Sequence, residues 1–248
     1  ELGPGAAAAV PALERAAADP DPHVRIRALM ALALVVPPGE GERELLLGDL
    51  SSRETALRRR AVLSLGALAA RKEVPPPALR LLLKDEDADV RMAAVWALGR
   101  QAARSSSSVE GLMEAAADPR PDLRMLAVVT LGRLGEEGAA AVGVLLKSLE
   151  KGGPNEKCYV AAALGGIGPR AGAAVPALLK LLDSDDPHLR MGAAASLARI
   201  RPSERDLPRL MAVVRDSEPD ARAYALWALG GLGSRAQSAV PELIRLLE

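Results

Sequence analysis

The sequence predicts an all-α fold, an α-solenoid of about seven and a half helix-turn-helix repeats, each 33 residues long. Three observations predict it. A residue register recurs every 33 positions. Apolar residues within each unit follow helical spacing, and no stretch shows the two-residue alternation of a strand. The apolar content is Ala, Leu and Val, with 2% aromatics and no Phe.

The register is read from the basic residue before each Ala/Leu-rich run. These anchors are Arg25, Arg58, Arg91, Arg124, Lys157, Arg190 and Arg222, at intervals of 33, 33, 33, 33, 33 and 32. Seven residues after each stands Leu32, Leu65, Leu98, Leu131, Leu164, Leu197 or Leu229. Three after stands Ala28, Ala61, Ala94, Ala127, Val160, Ala193 or Ala225. Twelve before stands a leucine, from Leu13 to Leu210, and Leu243 continues that column. The one short interval places a deletion near Arg201–Asp206, in a loop, where helical phase on either side survives.

Each unit begins with a helix A, such as Ala174–Leu182. Proline recurs at its start, at Pro11, Pro77, Pro176, Pro208 and Pro241, where first-turn N–H groups have no helical partner. An acidic turn follows, as in Asp118–Asp122, with carboxylates placed to cap the next helix. Helix B then runs as in Val90–Gly99. Gly135, Gly168 and Gly233, eleven after their anchors, are placed for a left-handed cap. Gly66, Gly99, Gly132, Gly165 and Gly230 in the last turn of helix B predict close helix approach. Ser107 and Glu110 have capping-box spacing. About 15 helices result.

The recurring pattern Asp-x-x-Pro-x-(Val/Leu)-Arg-x-x-Ala-x-x-x-Leu-Gly resembles bacterial HEAT-like repeats, the kind also found in phycobilisome lyases. The resemblance covers essentially the whole chain. It implies a right-handed solenoid with helix B lining the concave side. It also implies that the Asp six before an anchor (Asp19, Asp85, Asp118, Asp216) bonds an anchor Arg across neighbouring repeats. Repeat five departs from the pattern, with Lys151-Gly-Gly-Pro-Asn-Glu-Lys157 in place of the acidic turn, which predicts a looser or displaced turn. Leu2-Gly-Pro matches Ile167-Gly-Pro, and Leu243, Leu246 and Leu247 have no helix B after them. The expectation is one array over 1–248, a segment of a longer protein.

Composition excludes several classes. One Cys cannot form an internal disulfide. One Cys and two His fall short of the four ligands of a structural zinc site. No run of 18 apolar residues marks a membrane span. His23 and His188 lie about five repeats apart, and neither precedes Glu, so the iron-binding motif of the HEAT-like deoxyhypusine hydroxylases is absent. Cys158 has no His nearby in its repeat, and no Walker-type loop occurs. The expectation is a non-enzymatic, cytoplasmic protein without cofactor or metal.

Candidate binding residues come from the face of helix B turned away from helix A. At about 100° per residue, the core centres three after the anchor, and positions one and five point away. All four aromatics, Trp96, Tyr159, Tyr224 and Trp227, sit on helix B at positions two or five. Met92 stands at position one, and for it and the aromatics packing against the helix B of the next repeat is the alternative expectation. Trp and Tyr are frequent binding anchors, and Met adapts to varied partners. Charge is also asymmetric. Lys+Arg and Asp+Glu both number 32, yet no helix B holds an acid from its anchor onward. Arg100, Arg133 and Arg199 share position nine and suit the negative helix C-terminus. Arg59 and Arg60 lie near a helix start, where a cation is disfavoured, which makes them the better functional hint. These features predict a scaffold that binds a protein or peptide, favouring an acidic one, on the concave helix-B face. Nucleic-acid binding through the same arginines, as in HEAT-like DNA glycosylases, stays open. So does a bilin-lyase-like chromophore attachment or chaperone role, from the resemblance alone.

Overall fold

The computed structural model describes residues 4–35, 43–68, 76–216 and 218–245. Leu2, Gly3, Leu246 and Leu247 lie outside the described residues, as do the side chains of His23 and Ile26. Among the described residues there are fifteen α-helices and no strand. Helix A of successive repeats is α1 (Val10–Ala16), α3 (Arg43–Asp49), α5 (Pro76–Leu81), α7 (Ser106–Ala116), α9 (Val142–Lys151), α11 (Val175–Leu181), α13 (Leu207–Val213) and α15 (Val240–Arg245). Helix B is α2 (Pro22–Val35), α4 (Thr55–Leu68), α6 (Ala88–Gln101), α8 (Pro121–Arg133), α10 (Pro154–Ile167), α12 (Pro187–Ile200) and α14 (Pro219–Leu232). The chain forms two compact units, Glu1–Ala127 and Val128–Glu248.

The two helix types are buried differently, and the sequence explains why. In α9 the buried residues are Val142, Leu145 and Leu149, one stripe of an amphipathic helix. In α6 Val90, Met92, Ala93, Ala94, Val95, Ala97 and Leu98 are all buried, so the helix is enclosed on most sides. The reason is that helix B packs on its own helix A and also on other B helices. Such pairs are α4 with α6, α10 with α12 and α12 with α14. Small residues make the B–B approach possible. A Cβ on Gly132 would lie 2.5 Å from Ala163 Cα, and one on Gly165 would lie 2.9 Å from Ser196 Cα. The Ser196 hydroxyl adds a bond between layers, donating to Ala161 O at 2.8 Å. Gly230 does not fit the expectation of close approach, because nothing lies within 4 Å of a Cβ placed there.

The B-to-A connections among the described residues contain short 3-10 turns. Gly135–Ala141, Gly168–Ala174 and Gly233–Ala239 each span seven residues and begin on a glycine with positive φ. Gly168 (φ 77°, ψ −145°) and Gly233 (φ 58°, ψ −132°) are not left-handed helical as expected, but occupy a region nearly confined to glycine. The equivalent residue in repeat six is Arg201, and it takes the left-handed conformation instead (φ 60°, ψ 77°). The turn after it shrinks to Glu204–Asp206, where the register loses its residue. There Asp206 accepts from the Ser203 N–H and hydroxyl, both at 2.8 Å. No such box forms at Ser107: α7 starts without a side-chain cap and Glu110 pairs with Arg80. Composition alone would let Pro154–Leu181 count as a membrane span. It is three pieces, α10, a 3-10 turn and α11, broken at Gly168 and half buried.

Each anchor arginine closes the turn before its own helix. The Nη1 of Arg25, Arg58, Arg91, Arg124 and Arg190 donates to the carbonyls five and six residues back, at 2.8–3.3 Å. Arg222 donates to Asp216 O in the same way. Those carbonyls lie beyond the end of helix A, where backbone acceptors lack helical donors. The side chain six before the anchor accepts from the N–H two residues on, whether it is Asp19, Ser52, Asp85, Asp118, Ser184 or Asp216. Repeat five uses backbone groups in its turn. Gly152 N–H donates to Ser148 O at 2.9 Å, and a Cβ on Gly152 would lie 2.8 Å from that oxygen.

The inter-repeat ladder forms at two points as the resemblance implied. Arg58 reaches Asp85 through Nε (2.7 Å) and Nη2 (3.0 Å), and Arg190 reaches Asp216 likewise (2.8 and 3.1 Å). Where the next turn offers Ser52, Arg25 passes it and pairs with buried Asp89 at 2.7 Å. Where it offers Ser184, the anchor is Lys157. Asp118 is claimed by Arg120, two residues away in its own turn, at 2.7 Å. Burial pushes the Asp85 carboxyl up, but hydrogen bonds from Arg58 and the Asp87 N–H more than reverse this. Its pKa ends below the ordinary value.

Two predictions follow from this packing. Asp85→Asn leaves buried Arg58 with only the exposed Glu86 carboxylate at 3.1 Å and costs about 3 kcal/mol at neutral pH in urea unfolding. Because the folded pKa is depressed, this stabilisation is whole above the unfolded value of about 3.9 and fades as pH falls through the folded one. Asp85→Asn therefore flattens the acid limb of stability against pH. Separately, Gly132→Ala forces Cβ against Ala163 and costs about 1–3 kcal/mol. Gly230→Ala, in open space, gains up to about 1 kcal/mol from helix propensity.

Candidate functional site

The structure divides the candidate residues into those bound into the stack and those left at the surface. Met92 is 3% exposed, a core residue and not part of an open face. Position one faces away from helix A, which leaves either an open face or packing between repeats. Stacking of B on B covers that side as well.

Trp96 is half-buried for the same reason. A Cβ on Gly66 would lie 2.4 Å from its Cζ3, so the indole fills the notch that glycine leaves on α4. Arg100, one turn on, lies over the indole at 5.4 Å and donates from Nε to Gly66 O at 2.9 Å. Trp96 and Arg100 thus join α6 to α4. Burial of the Arg100 guanidinium lowers its pKa from the ordinary value.

Of the Arg58-Arg59-Arg60 run, Arg58 and Arg59 are likewise bound, and only Arg60 stays at the surface. Arg59 Nη2 pairs with Asp87 at 3.1 Å and Asp89 at 3.2 Å, carboxylates of the next repeat's turn. Those charges offset its unfavourable place near a helix start. Arg60 is largely exposed and, among the described residues, makes a long contact with Asp49 at 3.5 Å.

Three candidates meet in the second unit. Tyr159 of α10 (50% exposed), Arg133 at the end of α8 and Arg199 near the end of α12 line one groove of about 440 Å³. Its remaining lining is small: Val129, Gly132, Gly135, Ala162, Ala163 and Gly166. These residues keep the floor low while one phenol and two guanidiniums rise around it. A Cβ on Gly166 would lie 2.4 Å from Gly132 O, so glycine sets how closely α10 approaches α8. Among the described residues, neither Arg133 nor Arg199 has a carboxylate within ion-pair distance. Sequence reasoning named Tyr159, Arg133 and Arg199 but not Gly166, whose place directly after Gly165 is the signal for a lowered floor.

Tyr224 and Trp227 form a second aromatic cluster on α14, with rings 6.2 Å apart and tilted by 38°. Trp227 is 56% exposed. Among the described residues no group of three His, Cys, Asp or Glu is placed to hold a metal. Burial, with the Asp186 charge, pushes the Cys158 thiol up, away from thiolate chemistry. The groove therefore offers two cationic forks, a phenol and an apolar floor, a set suited to carboxylates or phosphates on an extended ligand.

Comparison with known proteins agrees with this architecture. The HEAT repeats family model matches residues 42–107, 76–154 and 142–220, and the PBS lyase HEAT-like repeat model matches residues 221–248. No curated protein matches the sequence. Among solved structures, the complex of CpcE and CpcF of phycocyanin lyase from Nostoc sp. PCC7120 is similar. It has 25% identity and a TM-score of 0.51, over 80% of this chain and 80% of that one. An engineered protein has 20% identity and a TM-score of 0.54, covering 78% of this chain and 97% of its own. A designed armadillo repeat protein has 19% identity and a TM-score of 0.51, covering 76% and 99%.

The aromatics should separate on mutation. Trp96→Ala empties the Gly66 notch and costs about 2–4 kcal/mol in urea unfolding. Tyr159→Ala, on the open groove, changes stability by less than about 0.5 kcal/mol.

Proposed function

The chain belongs to the HEAT repeat family, and from that premise we propose that it is a non-enzymatic scaffold that holds an acidic segment of a partner protein in the groove of its second unit. The observation that carries this is the pair Arg133 and Arg199. Both are exposed, and among the described residues neither is neutralised, while Arg58, Arg59 and Arg190 are committed to carboxylates of the stack. Tyr159 between them supplies a large amphipathic contact at low entropic cost. The similarity to a two-protein complex, CpcE with CpcF, supports a protein as the ligand.

A phycocyanin-lyase role is the second reading, and it rests on that similarity. Covalent transfer of a bilin to an acceptor protein in the presence of this chain would replace the scaffold reading.

The test is binding of a labelled poly-glutamate peptide, followed by fluorescence anisotropy at several salt concentrations. Arg133→Glu with Arg199→Glu is expected to weaken it at least tenfold without moving the unfolding midpoint. Tighter binding of duplex DNA than of the peptide, with a steep salt slope, would move the reading to nucleic acid.

A further inference from the structure

The groove of the second unit has a counterpart in the first that is already filled. In α6, position five after the anchor is Trp96 and position nine is Arg100. The indole lies on Gly66 of α4, and the Arg100 guanidinium stands over the ring at 5.4 Å. Ring and cation form a cation–π pair on a glycine floor. In α10 the same two positions are Ala162 and Gly166, and both line the groove. A methyl group and a hydrogen stand where α6 has an indole and a guanidinium, so the place of the ring is open.

Arginines return on either side of it. Position nine is Arg133 in α8 and Arg199 in α12, while position five there is Val129 and Ala195. Both arginines are exposed, with no indole of their own helix to lie on. α10 stands between the two helices, since its Ala163 meets Gly132 of α8 and its Gly165 meets Ser196 of α12. Tyr159, Ala162 and Gly166 follow one another at intervals of three and four residues, which makes one stripe of α10. The half-exposed phenol therefore walls one end of a floor made by Ala162 and Gly166. At 8–10 Å per helix step, α8 and α12 stand roughly 16–20 Å apart. In an extended segment the first, third and fifth side chains share one face, over about 13 Å. Acidic side chains at its two ends, leaning outward, close the difference and each meet one arginine through charge-assisted bonds. The middle side chain then comes down on Ala162 and Gly166.

We propose, resting on the acidic-segment reading of the same groove, that it is specific for an acidic–x–aromatic–x–acidic segment of a partner protein. The ring of that segment takes the place in α10 that Trp96 fills in α6, against the Tyr159 phenol. Its two carboxylates pair with Arg133 and Arg199.

The test is fluorescence anisotropy of labelled peptides titrated with the full chain. The peptides carry Glu-Ser-Trp-Ser-Glu, Glu-Ser-Ala-Ser-Glu or Glu-Trp-Glu within glycine flanks of matched total length, and poly-glutamate is the reference. The first is expected to bind at least tenfold more tightly than the second, which lacks the ring, and than the third, whose acids stand too close together to reach both arginines. Ala162→Trp puts back on α10 the indole of α6 and is expected to remove the preference for the first peptide. Circular dichroism should show it folded, since Ala162 is exposed. Tyr159→Ala gives a second variant, expected to cut the preference at least threefold. Equal binding of the first peptide and either control overturns the proposal, and if poly-glutamate still binds, the acidic-segment reading stands. Failure of all four probes to bind overturns both. A preference undiminished in either folded variant places the ring elsewhere and also overturns the proposal.

Discussion

The stack depends on how each turn between helix A and helix B is closed. Carbonyls past the end of helix A point away from any helical donor, and the anchor guanidinium supplies two N–H groups to them. The planar fork leaves its other edge free, and at Arg58 and Arg190 that edge takes the carboxylate of the following turn. One side chain thus fixes the angle between its two helices and the spacing to the next pair. The carboxylate is itself doubly employed, since Asp85 and Asp216 also accept from an N–H of their own turn. A lysine cannot do both tasks, and Lys157 stands where the next turn has a serine in place of the aspartate.

This economy decides where a ligand can be met. Helix B is covered by its helix A and by other B helices, so its small residues and most of its large ones belong to the stack. Arginines that reach a neighbouring carboxylate or carbonyl are held there, as Arg59 and Arg100 are. What remains is a narrow strip of helix B. In the second unit it exposes Tyr159, Arg133 and Arg199 over a floor of glycine and alanine. Formal neutrality of the chain therefore coexists with a local cationic groove.

Much of the fold was legible in the sequence because it repeats. The anchor columns, the prolines at helix starts and the glycines at helix ends recur from repeat to repeat, and the structure uses most of them as read, although Gly168 and Gly233 take a different positive-φ conformation. The candidate site was legible only in part. Helical phase says which side faces a helix's own partner, but not which side a neighbouring repeat will cover. Met92 and Trp96 could therefore face a ligand or pack between repeats, and it is the packing that the structure shows. Arg59 looked unexplained because its carboxylate partner lies 28 residues on, in the next repeat. Arg120 shows the opposite effect. A local pairing with Asp118 displaces the long-range link that periodicity implied. Gly230 followed the register but has no neighbour to accommodate, which only the packing reveals.

The central claim is that the arginines fall into two physical classes, those that hold the stack and those that face a ligand. A paired alanine scan tests it most directly: Arg58, Arg190, Arg133 and Arg199 are each replaced, and the urea midpoint and poly-glutamate affinity are measured on the same samples. The account predicts that Arg58→Ala and Arg190→Ala lower the midpoint and leave affinity intact under folding conditions. It predicts that Arg133→Ala and Arg199→Ala weaken binding at an unchanged midpoint. A lowered midpoint for the groove pair, or lost affinity in a fully folded Arg58→Ala protein, would contradict it.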